Sequence, residues 1–257
     1  MSVCKVPELQ AIGVDNYRNA LFSRLLSNAQ AKGWHDCYDM LTYHYRMHRD
    51  IADFPNNRFY GGKLIEALEA QQSPIPPDIL PKESQFQELF GQSRVVFIPS
   101  RRDPKSKLND DEAILAKELV KVVAEMHGPN FNINRSVGVI TPYRAQIANI
   151  LRDIPPDLQE VAVDTVERFQ GSERDVIILS LAVKSTAQLA NMQSMNRAGV
   201  DRKLNVALTR AKSYLIILGN EEVLEKNGPV QRPYPPHQAK RGYFHNPLAK
   251  AKMPDLF

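Results

Sequence analysis

The sequence predicts an α/β fold: a doubly wound, mainly parallel β-sheet flanked by helices. Three observations point there. Short runs rich in Val and Ile are apolar at consecutive positions, as in strands covered on both faces. Segments with helical spacing of apolar residues separate those runs. The 257 residues, 43% hydrophobic and 24% charged, are enough to bury a substantial core.

In chain order, "YRNALFSRLLSNAQAKG" (17–33) reads as an early helix closed by Gly33. "DMLTYHY" (39–45) is a weaker strand candidate. Residues 69–92, "EAQQSPIPPDILPKESQFQELFGQ", are rich in proline and glutamine and predict an irregular surface excursion. "VVFIP" (95–99) reads as a strand. The next helix, "DEAILAKELVKVVAEMHG", carries apolar Ile114, Leu115, Leu119, Val122 and Val123, with Asp110 and Asp111 at its start and Gly128 at its end as caps. "VGVIT" (137–141) is a strand, followed by the helix "YRAQIANILRDI" with Pro142 in its first turn. "VAVDTV" (161–166) and "DVIILSLA" (175–182) are strands. "LNVALTRAKSYLIILGN" (204–220) is a helix running into a buried strand. The organisation expected is one domain over 1–220 and a C-terminal helix or extended arm over 221–257.

Composition and motifs narrow the function. A net charge of +4 admits nucleic acid or phosphate partners without requiring them. Two cysteines, Cys4 and Cys37, fit neither a disulfide framework nor a metal spacing, so an intracellular setting is expected, cytoplasmic or, in a eukaryote, nuclear. His44 and His48 lie four apart but lack the glutamate of H-E-x-x-H. No apolar run reaches the length of a membrane span and the first residues lack a signal-peptide pattern, so no membrane partner is expected. No G-x-x-x-x-G-K-S/T is present: Gly61-Gly62-Lys63 is followed by Leu64. A self-sufficient nucleoside triphosphatase is therefore not expected. Asp164, Glu173 and Asp175 suggest a nuclease site, but the Glu-x-Lys that would complete one is absent.

Four segments, in order, carry a resemblance: "LTYHYRMHRDIADFPNNRFYGGKL", "VGVITPYRAQIANIL", "VDTVERFQGSERDVIILSLA" and "RKLNVALTRAKSYLIILGN". Together they resemble the second RecA-like domain of superfamily 1B helicases, the group of the nonsense-mediated-decay helicase, senataxin and their bacterial relatives. The likeness covers roughly 15–220. In that family ATP and Mg²⁺ bind between two RecA-like domains. The first carries the P-loop and the magnesium-binding acids, and the second closes over the nucleotide. The resemblance implies that this chain is the second half, partnered by a first, P-loop domain and by single-stranded DNA or RNA.

Residue by residue, the resemblance implies these roles. Tyr45 lies against the base and Arg46 approaches the γ-phosphate, as a ring can stack and a guanidinium can pair with phosphate. Arg210 of A-L-T-R-A is the arginine finger. Gly171 and Glu173 belong to the nucleotide-facing loop. Thr141, Tyr143, Arg144, Thr165 and Gln170 meet the single strand, through phosphates or by stacking. This sequence departs from the family pattern at His44, Arg49, Arg168 and Ser172.

Plainer readings stand beside these: a strand-end aromatic and a surface arginine for Tyr45 and Arg46, a turn acid for Glu173, capping for Thr141, and a turn role for Thr165. Helical geometry places Lys203, Ala207 and Arg210 on one face beside an apolar stripe of Leu204, Leu208 and Ala211. Lys212 then reads as a cation answering the helix dipole. The basic runs "SRRDPKSK" (100–107) and "AKRGYFHNPLAKAK" (239–252) read as solvated loops. The function expected is the C-terminal motor domain of an ATP-dependent helicase. The alternative is a truncated, non-catalytic paralogue that binds nucleic acid or a helicase.

Overall fold

The five strongest apolar runs form one sheet. The computed structural model describes residues 6–11, 21–75, 80–81, 84–101, 107–152, 154–192 and 201–225. Two compact units separate, Met1–Thr42 and Tyr43–Phe257. The first holds helices α1 (Pro7–Ala11) and α2 (Leu21–Ala31). Residues 17–20 of the expected early helix, most of the basic run 100–107 and residues 226–257 lie outside the described residues.

The second unit is built on strands β3 (Val95–Pro99), β4 (Val137–Ile140), β5 (Ala162–Asp164), β6 (Arg174–Ser180) and β7 (Ala211–Gly219), in the order β3-β7-β6-β4-β5 and all parallel. Their unbroken Val/Ile runs have a simple cause. Successive side chains point to opposite faces, and each face has its own core. On one side Val176, Ile178, Tyr214, Ile216 and Leu218 pack with α4 (Ser84–Gln92), α5 (Asp110–His127) and α6 (Arg144–Leu151). On the other side Ile177, Leu179, Leu215 and Ile217 pack with α3 (Arg49–Phe59), α7 (Thr186–Met192), α8 (Arg202–Leu208) and α9 (Glu221–Glu225). Burying each such side chain is worth about 1.5–3 kcal/mol, which makes this two-sided alternation the main stabilising element of the unit.

Several expectations need correction. The weaker strand candidate forms β1 (Tyr43–His44), but it pairs with β2 (Ile65–Glu66) in a separate two-stranded ribbon. The stretch 69–92 is not a plain surface excursion. Phe86, Leu89 and Phe90, at helical spacing, bury one side of α4 in the core. The cap of α5 is Asn109, whose side chain accepts from the Glu112 N–H, with Asp110 and Asp111 in the first turn. Pro142 precedes the first turn of α6, which is capped by Tyr143.

The β5-to-β6 connection positions much of the site. Residues 165–173 leave the carboxyl end of β5, pass over β4 and enter the amino end of β6. A parallel crossover of this kind usually takes a dozen residues or more. Here it lies flat because β4 offers Gly138. A Cβ at that position would come within 2.9 Å of the Phe169 ring and 3.0 Å of Arg174 Cγ. Phe169 is buried and pins the crossover to the sheet. Gly138→Ala is expected to displace that ring and cost about 1–3 kcal/mol by overpacking, read as a lowered urea midpoint.

Candidate functional site

A strap formed by residues 45–48 runs from β1 to the amino end of β7. The His48 N–H donates to the Lys212 carbonyl (2.7 Å), and Met47 is buried in the core beneath. The Asp50 N–H donates to His48 Nδ1 (3.2 Å), so Nε2 carries the proton and donates to the Ser73 carbonyl (2.9 Å). Burial and then the nearby Arg94 cation lower the His48 pKa, in keeping with that neutral tautomer. Gln71 Nε2 donates to the Met47 carbonyl (2.9 Å). Sequence reasoning missed Gln71 and Ser73, because buried polar bracing on an irregular segment leaves no periodic trace.

The strap delivers Arg46 to Glu173. Arg46 Nε donates to Glu173 Oε2 at 2.6 Å, and its NH1 donates to the Thr209 carbonyl at 3.2 Å. The hydrogen bond from Arg46 is the chief cause of the lowered Glu173 pKa. Arg210 stands just past Thr209, the C-cap of α8, rather than on a helical face with Lys203 and Ala207. Its Nε donates to the Val206 carbonyl (3.2 Å) and its NH1 to the Ser172 carbonyl (3.1 Å). Burial and the positive charge of Arg46 lower its pKa, yet a guanidinium so placed stays protonated. Gly171, at φ +88°, supplies the left-handed turn that brings Ser172 and Glu173 into place. Tyr45 is 68% exposed at the head of the strap. Tyr45, Arg46, Gly171, Glu173 and Arg210, from three distant segments, therefore gather at the amino edge of β6 and β7.

Lys212 is not a helix-end cation. It is the second residue of β7, and its Nζ lies between Glu173 Oε1 (3.6 Å) and Asp175 Oδ1 (3.9 Å).

The nucleic-acid candidates lie mostly at the opposite, carboxyl edge. Thr141 directly follows β4; its N–H donates to the Asp164 carbonyl (3.1 Å), and its hydroxyl is fully buried without a hydrogen-bond partner. Tyr143 is half-buried and Arg144 is exposed at the start of α6. Thr165 opens the crossover, its N–H donating to Asp164 Oδ1 (2.8 Å). Gln170 is exposed three residues before Glu173, apart from the other four.

A buried network that the sequence did not reveal braces this edge. Glu112, fully buried in the first turn of α5, accepts from Ser100 Oγ (2.9 Å), Ser180 Oγ (2.8 Å) and the Ala182 N–H (2.8 Å). Gln146 Nε2 donates to Ser180 Oγ (3.2 Å) and to the Asn109 carbonyl (3.0 Å). Ala182 holds φ +48°, a left-handed conformation costly for a residue with a Cβ, and the Glu112 carboxylate fixes it there.

With this geometry in view, a family model described as "AAA domain" matches residues 17–222. The chain belongs to this AAA-domain family. Among curated relatives, the AAA domain here is 30% identical over 237 residues to the DNA polymerase alpha-associated DNA helicase A of Saccharomyces cerevisiae, covering 84% of this chain and 32% of that protein. It is 31% identical over 225 residues to the helicase sen1 of Schizosaccharomyces pombe, covering 82% and 12%. It is 34% identical over 220 residues to the regulator of nonsense transcripts 1 of Dictyostelium discoideum, covering 81% and 15%. The chain thus spans about a third or less of the length of these relatives. The AAA domain is of the C-terminal RecA-like kind found in superfamily 1 helicases. No helix among its described residues is long and apolar enough to cross a membrane.

Proposed function

We propose that this chain is the second motor domain of an ATP-dependent helicase and that it works against a P-loop RecA-like domain. One observation carries the reading: Arg46, Glu173 and Arg210 arrive from three separate segments at one sheet edge, where two guanidinium groups flank one carboxylate. The residues fit a nucleoside triphosphate. The exposed Tyr45 ring offers a stacking face for a base, and Arg46 and Arg210 offer fork-like donors for phosphate oxygens. They do not fit a divalent cation, since no group of three or more His, Cys, Asp or Glu comes together among the described residues. The Mg²⁺ ligands are assigned to the P-loop domain. Bound ATP supplies the driving phosphoryl transfer. Arg210 stabilises the charge that develops on the transferring group, and Arg46 orients it.

At the carboxyl edge, Tyr143 stacks on a base and Arg144 and Thr165 meet phosphates of single-stranded DNA or RNA; buried Thr141 lies beneath them, while Gln170, apart from these, would meet the strand only farther along the crossover. Arg144→Ala is expected to weaken single-strand binding severalfold and to lower the slope of log Kd against log salt by about 1, measured by fluorescence anisotropy.

The deciding test joins the chain to a P-loop RecA-like domain and follows ATP hydrolysis with and without a single strand. Turnover that needs both domains and rises with the strand supports the reading. Turnover by the P-loop domain alone, unaltered when this chain is added, overturns it.

A further inference from the structure

Lys212 has no part in the roles given so far. Its Nζ is 3.6 Å from one oxygen of Glu173 and 3.9 Å from Asp175, both longer than a hydrogen bond. The other oxygen of Glu173 is held by Arg46 at 2.6 Å. Asp175 is faced on its other oxygen by His127 Nε2 at 3.7 Å. The edge is therefore a line of alternating charge, Arg46, Glu173, Lys212 and Asp175, with the His127 ring at its end and Lys212 poised between two carboxylates at similar distances. We propose that Lys212 is a positioning residue that takes over Glu173 when Arg46 turns toward a phosphate. The inference rests on the reading of Arg46 as a phosphate-facing cation.

The physical argument is one of charge compensation. Glu173 neutralises Arg46 while no phosphate is present, so an incoming anion must compete with a carboxylate for the guanidinium. Once Arg46 leaves, Glu173 loses its closest partner, and its charge beside the anion opposes binding. Lys212 removes that opposition by a movement of less than about 1 Å. Both side chains are free to make it, since Lys212 is 41% and Glu173 45% exposed. Arg210 already flanks Glu173, but two hydrogen bonds to the Val206 and Ser172 carbonyls hold its guanidinium in place, so it does not follow the carboxylate as Arg46 leaves. Asp175 keeps the ammonium in place while Glu173 is occupied. The Lys212 carbonyl also accepts the His48 N–H, so the strap bearing Arg46 and the lysine that replaces it share one backbone anchor.

The test titrates the 257-residue chain with inorganic tripolyphosphate and follows the Arg46 Nε–Hε signal by ¹⁵N NMR. Lys212→Met is expected to weaken tripolyphosphate binding roughly threefold to fivefold, and Lys212→Arg to restore it. In a Glu173→Gln background the same Lys212→Met change is expected to have a much smaller effect, because the carboxylate that Arg46 releases is gone and only Asp175 remains beside Lys212. Equal losses in both backgrounds make Lys212 a direct anion contact and overturn the proposal, as does an unaltered affinity in Lys212→Met alone. A wild-type chain whose Arg46 signal ignores tripolyphosphate overturns instead the phosphate reading on which the proposal rests.

Discussion

Arg210→Ala is expected to lower ATP turnover of the two-domain assembly by about 10³- to 10⁵-fold, the range over which a finger arginine acts in phosphoryl transfer. Two of the five N–H donors of Arg210 go to the Val206 and Ser172 carbonyls, which aim the guanidinium from the end of α8. The variant therefore loses both the charge and its aim. Arg210→Lys keeps a charge but has a single ammonium in place of the planar fork, so it recovers only a small part of the rate. A melting temperature close to that of the parent, with unaltered single-strand binding, shows that the loss is chemical rather than structural. Turnover within tenfold of the parent removes Arg210 from catalysis and leaves it as a brace between α8 and the crossover.

The second large effect is on stability. Glu112→Leu is expected to destabilise the domain by about 3–5 kcal/mol, because the buried Ser100 and Ser180 hydroxyls and the Ala182 N–H all lose their acceptor. Glu112→Gln keeps the shape and one acceptor, so its cost is far smaller. The same residue predicts a pH dependence. Burial raises the Glu112 pKa from 4.5 to about 7, against the lowering effect of its three hydrogen bonds. Between those values the folded chain holds a proton that the unfolded chain has released. The Glu112 contribution to stability is thus fully present below about pH 4.5 and is lost as pH rises to about 7, a change of about 3 kcal/mol. Urea unfolding at several pH values, compared between the parent and Glu112→Gln, isolates this contribution. Parallel curves for the two proteins rule out a raised Glu112 pKa.

Much of the fold was legible because the two-sided sheet writes itself as unbroken Val/Ile runs. All five such runs are strands of that sheet, within a few residues of the expected bounds. The stretch 69–92 was misread because proline and glutamine flank a short amphipathic helix, and composition drowned its Phe86, Leu89 and Phe90 spacing. The gathering of Arg46, Glu173 and Arg210 was legible only through resemblance, since they are far apart in sequence and no local pattern links them. Glu112 was invisible for a different reason. An acid in the first turn of a helix is what the helix dipole favours at any surface, and nothing in the sequence says that this one is enclosed by Ser100 and Ser180. Lys212 was misread in the same way: close behind a helix in sequence it resembles a terminal cation, while it lies four residues past Leu208, in β7, beside two carboxylates.

The segment from Thr165 to Glu173 touches both ends of the sheet and is fixed near its middle, where the Phe169 ring rests on the bare backbone of Gly138. Mechanically that is a lever with its fulcrum at Gly138. Under the proposed function, a load borne by a single strand at the Thr165 arm would act on the carboxylate at the other arm through that fulcrum.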